Sequence, residues 1–443
     1  MKPTQKIIVL DDDPTGSQTV HGCLLLTRWD VATLQLGLRD AAPLFFILTN
    51  TRALDGAHAA AVTRDVCRNL KQTLADTDIQ PIIISRSDST LRGHYPLETD
   101  VIAEELGPFD AHFLIPAFFE GGRVTRDSVH YLRVDGKETL VHETEFARDS
   151  VFGYHHSYLP AYVEEKTQGR TKTSEVERFL LQDSDADLLQ RLLAMRDNRC
   201  AVVDAESYND LTRFTRVIQC AIGQGKRFLF RSAASLVAAL AALPPPVVAA
   251  EAMGRLRRDR QPGVVIVGSH VAKTSRQLAR LVQETGTVGI ELDVARLPEA
   301  FNALCEEAVH AADQAFRSGK TGVIYTSRAE RCFDSAAAQL AFGENVSRLL
   351  MEILRRLPRE IGFLISKGGI TSHDTLSKGL MLSSVRLVGQ IAPGCSLVRC
   401  PPDHALFPDL PVVIFPGNVG EDDSLAQVYR LLKSAHPALS PSS

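Results

Sequence analysis

Short apolar runs alternate with longer segments of helical periodicity along the first half of the chain. The apolar runs, which predict buried strands, cover residues 7–10, 44–48, 82–84, 113–115, 201–203 and 227–230. Between the second and third runs, apolar side chains recur at helical spacing at Ala59, Val62, Val66, Leu70 and Leu74. This alternation favours β-α units that build a largely parallel sheet.

The second half repeats this pattern. Strands are predicted at the start of 264–270 and at 322–326, and helices over 301–312 and 346–357. Thr274 is placed to cap a helix that begins near Arg276. Two further segments, 363–376 and 412–425, each read as a buried strand, a glycine-rich turn and the start of a helix. The fold class is therefore α/β, with two domains that each contain a largely parallel sheet flanked by helices.

A proline run marks the boundary between the domains. A short apolar helix over 235–243 is followed by Pro244, Pro245 and Pro246, which end it. We assign residues 1–243 to an N-terminal domain, 244–262 to a linker and 263–443 to a C-terminal domain. The length of 443 residues suits two or three domains.

Composition and charge exclude several functional classes. The net charge of −4 gives no sign of nucleic-acid binding or of attraction to an anionic membrane. No apolar run approaches the roughly 18 residues of a membrane span, and the N-terminus lacks a signal-peptide core. The eight cysteines, which include Cys332, form no C-x-x-C pair and match no zinc pattern. We therefore expect a cytoplasmic protein that has no metal site of its own.

Polar segments follow the strands of the N-terminal half. Asp11, Asp12 and Asp13 end the first apolar run, and the sequence SRSDSTLRGHYPLETD occupies 85–100. Polar residues also follow at 49–52 and 116–125. The carboxyl ends of parallel strands meet at one sheet edge, so these segments should converge there. Arg86 and Arg92 are candidates to clamp a carboxylate or phosphate.

A hairpin is predicted beside this edge. The segments 129–134 and 138–141 would pair across the turn Asp135-Gly136. His130, His142, His155 and His156 lie nearby, but their spacing fits no closed metal site. Hydrogen-bonded or exposed histidines are the better interpretation.

Glycine loops follow three strands of the C-terminal half. These are Gly268-Ser269, Gly368-Gly369 and Gly417-Asn418, the last followed by Gly420. Backbone N–H groups at such turns bind phosphate oxygens, and glycine allows a close approach. Three such loops in one domain favour a nucleotide-phosphate site over structural turns. Gly319-Lys320-Thr321 is not a Walker A motif, because Gln314 stands where its first glycine is required.

The combination of motifs resembles the four-carbon acid sugar kinase family over nearly the whole chain. The N-terminal motifs are Asp12-Asp13-x-Thr15-Gly16, Thr51-Arg52, SDSTLRG at 87–93, Gly122-Arg123-x-Thr125 and ETEFARD at 143–149. The C-terminal motifs are Gly268-Ser269, Gly368-Gly369-x-Thr371-Ser372, GQIAPG at 389–394 and Gly417-Asn418-x-Gly420. Pro14 departs from the common pattern, and the segment 152–171 resembles the longer branch of the family.

The resemblance implies ATP-dependent phosphorylation of the terminal hydroxyl of threonate, erythronate or an oxo-tetronate, in the cleft between the domains. It implies Mg²⁺ bound with the ATP phosphates. Asp12 or Asp13 would accept the hydroxyl proton, and Arg52 and Arg92 would hold the substrate carboxylate. The implied substrate residues are Asp12, Arg52, Ser89, Thr90, Leu91, Arg92 and Arg123. The implied ATP residues are Ser269, Gly368, Gly369, Ile370, Thr371, Gly417 and Asn418.

Two other functions remain open from the sequence. A lyase or isomerase would use the glycine loops for a substrate phosphate, and a sugar-acid sensor would use the same fold without catalysis. The expected partners are small molecules only, a sugar acid and ATP, with no nucleic acid and no membrane. A homodimer is compatible with this interpretation.

Overall fold

The computed structural model describes residues 4–134, 136–243, 249–328 and 336–433. Asp135 of the hairpin turn, residues 244–248 of the linker assignment and Cys332 lie outside the described residues. The chain divides into two compact units, Met1–Pro244 and Pro245–Ser443. None of the helices in the described part of the chain combines the length and apolarity needed to cross a membrane.

Unit one, Met1–Pro244, is built on an all-parallel sheet. In space its strands run in the order β2-β3-β1-β4-β11-β5-β10-β9. The strands of the unit are β1 (Thr4–Asp11), β2 (Leu24–Leu26), β3 (Leu44–Leu48), β4 (Ile79–Arg86), β5 (Ala111–Ile115), β6 (Arg123–Arg126), β7 (Val129–Val134), β8 (Lys137–Leu140), β9 (Glu177–Phe179), β10 (Arg199–Val203) and β11 (Phe228–Ser232). The central strands carry consecutive buried apolar residues because both faces of the sheet are covered. The predicted parallel sheet is confirmed.

Helices cover the sheet of unit one. They are α1 (Val31–Arg39), α2 (Gly56–Leu74), α3 (Leu97–Leu106), α4 (Leu159–Lys166), α5 (Asp185–Ala194), α6 (Tyr208–Ile222) and α7 (Ala234–Ala241). Asp30, Asp55, Ser184 and Ser207 cap four of them, each by accepting a hydrogen bond from a first-turn amide. The predicted hairpin is confirmed as β7 and β8, and β6 joins them in a separate three-stranded antiparallel sheet.

The carboxyl ends of five strands in unit one lie in register. Asp11 at the end of β1 pairs with Leu48 of β3 and with Arg86 of β4. Ser232 at the end of β11 pairs with Arg86 and with Ile115 of β5. The segments that follow these strands therefore begin at the same height along one sheet edge.

Unit two, Pro245–Ser443, contains a mixed sheet in the order β13-β14-β12-β15-β18-β17-β16. Its strands are β12 (Val264–Val267), β13 (Thr287–Leu292), β14 (Thr321–Thr326), β15 (Leu364–Lys367), β16 (Ser384–Ala392), β17 (Cys395–Arg399) and β18 (Pro411–Phe415). The first five in spatial order are parallel, and β17 and β16 are antiparallel additions. Val267, Lys367 and Phe415 pair in register, so the three glycine loops start at one edge.

The helices of unit two are α8 (Ala272–Leu281), α9 (Phe301–Arg317), α10 (Ala336–Arg355), α11 (Gly369–Asp374) and α12 (Ser424–Lys433). The prediction that Thr274 caps a helix beginning near Arg276 is wrong. Helix α8 begins at Ala272 with Val271 in the cap position, and Thr274 is buried within its first turn. Met253, from the segment assigned to a linker, packs in the core of this unit.

Candidate functional site

The end of strand β1 presents three consecutive carboxylates. Asp11 and Asp12 are buried, whereas Asp13 is partly exposed. The Asp13 carboxylate accepts hydrogen bonds from the amide of Thr15 at 2.8 Å and from its hydroxyl at 2.7 Å. Asp13 thereby caps the short 3-10 turn Pro14–Ser17, which carries the chain away from the sheet.

The guanidinium of Arg52 joins three of the polar segments. Its Nη2 atom lies 2.9 Å from Oδ1 of Asp12 and 3.0 Å from Oδ2 of Asp13. Its Nη1 atom lies 3.9 Å from Oδ1 of Asp88. Arg52 occupies the 3-10 turn Thr51–Ala53 directly after β3. The predicted convergence of the segments after β1, β3 and β4 is confirmed.

Asp11 forms a second, deeper ion pair. Nη1 of Arg86 lies 3.1 Å from Oδ1 of Asp11, and both side chains are buried. Burial raises the pKa of Asp11 to about 7, although the charge of Arg86 acts in the opposite direction. A Cβ atom at Gly16 would lie 2.3 Å from Oδ2 of Asp11 and 2.5 Å from Cζ of Arg86. Only glycine allows the Asp-Pro-Thr-Gly turn to pass this close to the pair.

The carboxyls of Asp12 and Asp13 differ in their pKa. Burial raises the pKa of Asp12, and the attraction of Arg52 does not fully compensate. Burial acts on Asp13 in the same direction, but Arg52, Arg86 and the hydrogen bonds from Thr15 outweigh it and lower the pKa of Asp13. A base is most effective when its pKa lies near the working pH. Asp12 is therefore the more basic of the two carboxyls.

The loop after β4 is fixed by buried side chains. The carbonyl of Ser89 lies 2.8 Å from Nε2 of His130. The carbonyl of Thr90 accepts from the Tyr154 hydroxyl at 2.7 Å. The Tyr162 hydroxyl donates in the same way to the carbonyl of Leu91 at 2.8 Å, and Leu91 itself has a φ of +67°. Three successive carbonyls held in this way fix the backbone of the loop.

The burial of His130 predicts an acid-sensitive contribution to stability. Burial lowers the pKa of His130 to about 4, and its Nδ1 atom lies 2.9 Å from the Thr125 hydroxyl. Between pH 6.5 and about 4 the imidazole of the unfolded chain binds a proton that the buried ring of the folded protein does not. The free energy of unfolding therefore falls as the pH is lowered. The full loss is about 3 kcal/mol. Denaturant titrations over this range should show a weaker pH dependence for His130→Gln than for the wild type. The exposed His155→Gln is the control, and equal slopes for all three proteins would contradict the prediction.

Arg92 and Arg123 gather at the face of one aromatic ring. Their Cζ atoms lie 5.0 Å and 5.9 Å from the centre of the Phe146 ring. Nε of Arg92 donates to Oδ2 of Asp88 at 2.7 Å, and its Nη1 atom lies 3.7 Å from Oδ2 of Asp149. The contacts with Phe146 hold two cations side by side, which is suited to binding a carboxylate.

A small cavity lies beside Arg92. Its polar lining includes Asp88, Arg92 and Arg231, and its apolar lining includes Leu91 and Tyr162. The space that it encloses is about 10 Å³, which is room for about one water molecule.

The three glycine loops of unit two meet at one point. A Cβ atom at Gly268 would lie 2.3 Å from Oγ1 of Thr371. A Cβ at Gly368, where φ is +121°, would lie 3.0 Å from Cβ of Ser269. A Cβ at Gly417 would lie 2.9 Å from Oγ of Ser269. The three glycines thus let the loops pack closely against Ser269 and Thr371, and we call this cluster of loops the glycine cradle.

The side chains of Thr274 and Lys367 form hydrogen bonds that hold this cradle in place. The hydroxyl of Thr274 donates to the carbonyl of Gly417 at 2.8 Å, and its Oγ1 atom lies 3.1 Å from Oγ of Ser269. The ammonium of Lys367 is buried, donates to the carbonyls of Pro416 and Gly417 and lies 4.2 Å from the centre of the Phe415 ring. Burial lowers the pKa of Lys367 to about 7. These contacts fix the direction of the loop after β18.

Both units of the chain match families of known proteins. Residues 7–240 match the family described as a sugar-binding N-terminal domain, and residues 264–425 match the one described as a nucleotide-binding C-terminal domain. The chain belongs to the four-carbon acid sugar kinase family. A D-threonate kinase of Bordetella bronchiseptica is 26% identical over 441 residues, which cover 96% of this chain and 97% of that protein. A D-erythronate kinase of Heliobacterium modesticaldum is 24% identical over 441 residues, which cover 94% of this chain and 95% of that protein.

Solved structures share the fold of this family member. A protein of Haemophilus influenzae has a TM-score of 0.63 at 17% identity and covers 96% of this chain and all of that chain. A protein of Salmonella typhimurium LT2, described as a putative tRNA synthase, has a TM-score of 0.69 at 20% identity, with 97% and 100% coverage. At these identities the likeness shows the fold alone.

Most of the predicted site residues lie in two clusters, one in each unit. In the sugar-binding unit the structure brings together the predicted residues Asp12, Asp13, Arg52, Ser89, Thr90, Leu91, Arg92 and Arg123. In the nucleotide-binding unit Ser269, Gly368, Thr371 and Gly417 meet. Gly369 begins α11, Ile370 is 58% exposed, and Asn418 is exposed.

The sequence analysis missed several residues that surround these sites. Arg231 and Glu98 form an ion pair of 2.6 Å beneath the loop after β4. Phe146, Tyr154 and Lys367 were not singled out either. The available signal was a charged side chain within an apolar strand, as in FLFRS for Arg231 and FLISK for Lys367. A buried charge of this kind is retained only where a partner satisfies it.

In the nucleotide-binding unit the glycine cradle suits phosphate groups, because Gly268, Gly369 and Gly417 are partly exposed at the carboxyl ends of the strands. Metal ions are a different case. Within the described ranges, no group of three or more His, Cys, Asp or Glu side chains is arranged to hold a metal ion. Mg²⁺ commonly binds through substrate phosphates and water, with few protein ligands.

Proposed function

We propose that the chain is an ATP-dependent kinase that phosphorylates the terminal hydroxyl of a four-carbon sugar acid of the threonate, erythronate or oxo-tetronate type. The names of the two curated relatives support this substrate class. The observation that carries the proposal is Asp12, a buried carboxylate held by Arg52 at the sheet edge where Arg92 and Arg123 also gather.

The sugar-binding unit would supply the proton acceptor and the carboxylate clamp. Asp12 takes the hydroxyl proton while the acceptor oxygen bonds to the γ-phosphorus and the bond to the ADP oxygen breaks. Arg92 and Arg123 bind the substrate carboxylate. Arg52 stays a proposed substrate residue, and its Nε makes no hydrogen bond within the described residues.

The nucleotide-binding unit would hold ATP through backbone. The amides around Gly268-Ser269, Gly368–Thr371 and Gly417-Asn418 would contact phosphate oxygens, and Lys367 and Thr274 would keep the third loop in place. Mg²⁺ would arrive with the phosphates and neutralise their charge. We assign no protein ligand to it.

A coupled assay of ADP release over a panel of four-carbon acids tests the proposal. The panel contains both enantiomers of threonate and erythronate and the 2-oxo-tetronates, each with Mg²⁺ and ATP. We expect ADP release above the acid-free rate for at least one acid. If ADP stabilises the protein but no acid stimulates release, a sensor function replaces the kinase. If ADP does not bind at all, a lyase or isomerase becomes the better explanation.

Gly417→Val should weaken nucleotide binding without affecting the acid site. The new side chain begins 2.9 Å from Oγ of Ser269 and 3.6 Å from Val271. A branched side chain there blocks the close approach of a phosphate to the backbone, so ADP should bind at least about tenfold more weakly in calorimetry. Gly343→Val in α10 is the control, because a Cβ there meets nothing within 4 Å. Wild-type ADP affinity in Gly417→Val would exclude this loop from the site.

A further inference from the structure

A chain of hydrogen bonds runs from a buried arginine to Asp12. Arg231 lies on β11, and its Nη2 atom donates to Oγ of Ser87 at 2.7 Å. The Ser87 hydroxyl in turn donates to Oδ2 of Asp12 at 2.5 Å. All three residues are at most 4% exposed. We call these residues the Arg231–Ser87–Asp12 relay.

The direction of this relay is fixed by chemistry. An arginine guanidinium carries only donors, so Oγ of Ser87 must accept from Arg231. The single hydroxyl proton of Ser87 is then free for one acceptor. It has a choice between Oδ2 of Asp12 at 2.5 Å and the carbonyl of Arg92 at 3.1 Å. The carboxylate is closer and charged, so it forms the stronger bond.

The positive charge of Arg231 is balanced by an ion pair with Glu98. Its Nη1 atom donates to Oε2 of Glu98 at 2.6 Å and to Oγ of Ser85 at 2.7 Å. Oε1 of Glu98 accepts from the hydroxyl of Thr51 at 2.5 Å. Asp12 therefore meets a neutral hydroxyl, oriented by an ion pair, rather than a second bare cation.

The remaining charged groups around Asp12 are arranged on other sides. Arg52 binds Oδ1 at 2.9 Å, and Nη1 of Arg86 lies 3.9 Å from the same oxygen. The neighbouring carboxylates of Asp11 and Asp13, together with Glu98, supply the negative charges. Arg52 thus holds one oxygen and Ser87 the other, which leaves further lone pairs of both oxygens for a substrate proton.

The backbone closes tightly over the relay at Gly93. Its φ is +127°, which disfavours other residues. A Cβ atom there would lie 2.5 Å from Oγ of Ser87 and 2.8 Å from Nη2 of Arg231. The same atom would lie 3.0 Å from Oδ2 of Asp12. A glycine is required at the one point where all three members of the relay come together.

We propose that Ser87 and Arg231 are positioning residues that orient the Asp12 carboxylate and stabilise its ionised form for proton acceptance. The assignment of Asp12 as the base rests on the proposed function. The geometry of the relay does not depend on that assignment. Neither residue needs to touch the substrate for this role.

A matched pair of serine variants tests the relay. Ser85 and Ser87 are both buried near the end of β4 and both accept from Arg231, but Ser87 alone of the two donates to Asp12. Ser87→Ala should lower kcat about 10- to 100-fold with little change in the KM for the acid. Removing a donor to the charged form should also raise the pKa of Asp12, so the acid limb of the kcat profile should move up by about one pH unit. Ser85→Ala should do neither.

A titration independent of activity separates this inference from the proposed function. Carbon-13 NMR of aspartate carboxyls in the full chain, assigned with Asp12→Asn, reports the protonation of Asp12 directly. Ser87→Ala should raise the pKa of Asp12 by about one unit relative to Ser85→Ala. Equal values in the two variants would overturn the relay, whether or not any acid is phosphorylated. A wild type that phosphorylates no acid would instead overturn the proposed function.

Two further variants guard against loss of folding. Ser87→Cys keeps the length and branching of the side chain but donates weakly, and it should shift the pKa of Asp12 in the same direction as Ser87→Ala. The double variant Arg231→Gln with Glu98→Gln removes the ion pair without leaving an unpaired buried charge. Because the charge of Glu98 itself raises the pKa of Asp12, the double variant is compared with Glu98→Gln alone, relative to which it should raise that pKa. No shift in both folded variants would contradict the proposal.

Discussion

The Asp12→Asn variant is expected to lose about 10²- to 10⁴-fold in kcat, the range that a positioned general base supplies. Asparagine keeps the shape of the side chain and can still accept a hydrogen bond from Ser87. It cannot take the proton of the substrate hydroxyl. The KM for ATP should stay near its wild-type value, because the proposed nucleotide residues all lie in unit two. Steady-state kinetics with the acid identified by the panel measures both constants.

Asp13→Asn is the matched control for this prediction. It removes the other carboxylate that contacts Nη2 of Arg52, at 3.0 Å instead of 2.9 Å. Asparagine can still cap the turn Pro14–Ser17 through its amide oxygen, so the variant removes the charge of Asp13 but keeps the local structure. Its kcat should fall much less than that of Asp12→Asn. A larger loss in Asp13→Asn, or near-normal kcat in Asp12→Asn, would place the base elsewhere.

Arg92→Ala should mainly raise the KM for the sugar acid. A carboxylate held by Arg92 is bound in the ground state and the transition state alike, so kcat should change little. The loss of one charge-assisted hydrogen bond corresponds to about 1.5–3 kcal/mol, or roughly 10- to 100-fold in KM. Arg92→Lys keeps the charge but not the paired donors, and it should recover only part of this loss.

Arg126→Ala controls for the loss of an arginine with similar contacts. Arg126 also stacks over an aromatic ring, at 5.1 Å from the centre of Tyr131, and also pairs with a carboxylate, Glu138. It lies on β6 outside the proposed site and should leave KM unchanged. If Arg92→Ala leaves KM at the wild-type value, the clamp must be rebuilt around Arg52 or Arg123.

The sequence predicted the fold well where its signals are local. Continuous apolar runs such as 44–48 and 264–267 are buried on both faces of a parallel sheet and need no further information. The failure at Thr274 has a clear physical cause. A threonine followed by polar residues suggests a cap, but the hydroxyl bonds to the carbonyl of Gly417, 143 residues away. No local pattern reveals a partner at that distance.

The candidate site was predictable only in part, for the same reason. The polar segments after β1, β3 and β4 are recognisable as sequence motifs, and the structure joins them through Arg52. Arg231 and Glu98 are not recognisable in this way, because the two residues of the ion pair are 133 residues apart in the chain. The buried ammonium of Lys367 likewise has its partners on another strand's loop. A charged residue within an apolar run is therefore as informative about a site as a polar motif that follows a strand.

The central claim is the transfer of a phosphoryl group to a terminal hydroxyl. Proton-coupled phosphorus-31 NMR of a reaction of the full chain with ATP, Mg²⁺ and the active acid tests it most directly. A phosphate ester on a terminal CH₂ group couples to two protons, so the product signal should be a triplet that grows with ADP. A doublet would show phosphorylation of a secondary hydroxyl. Inorganic phosphate alone, or no new signal with any acid of the panel, would contradict the proposed function.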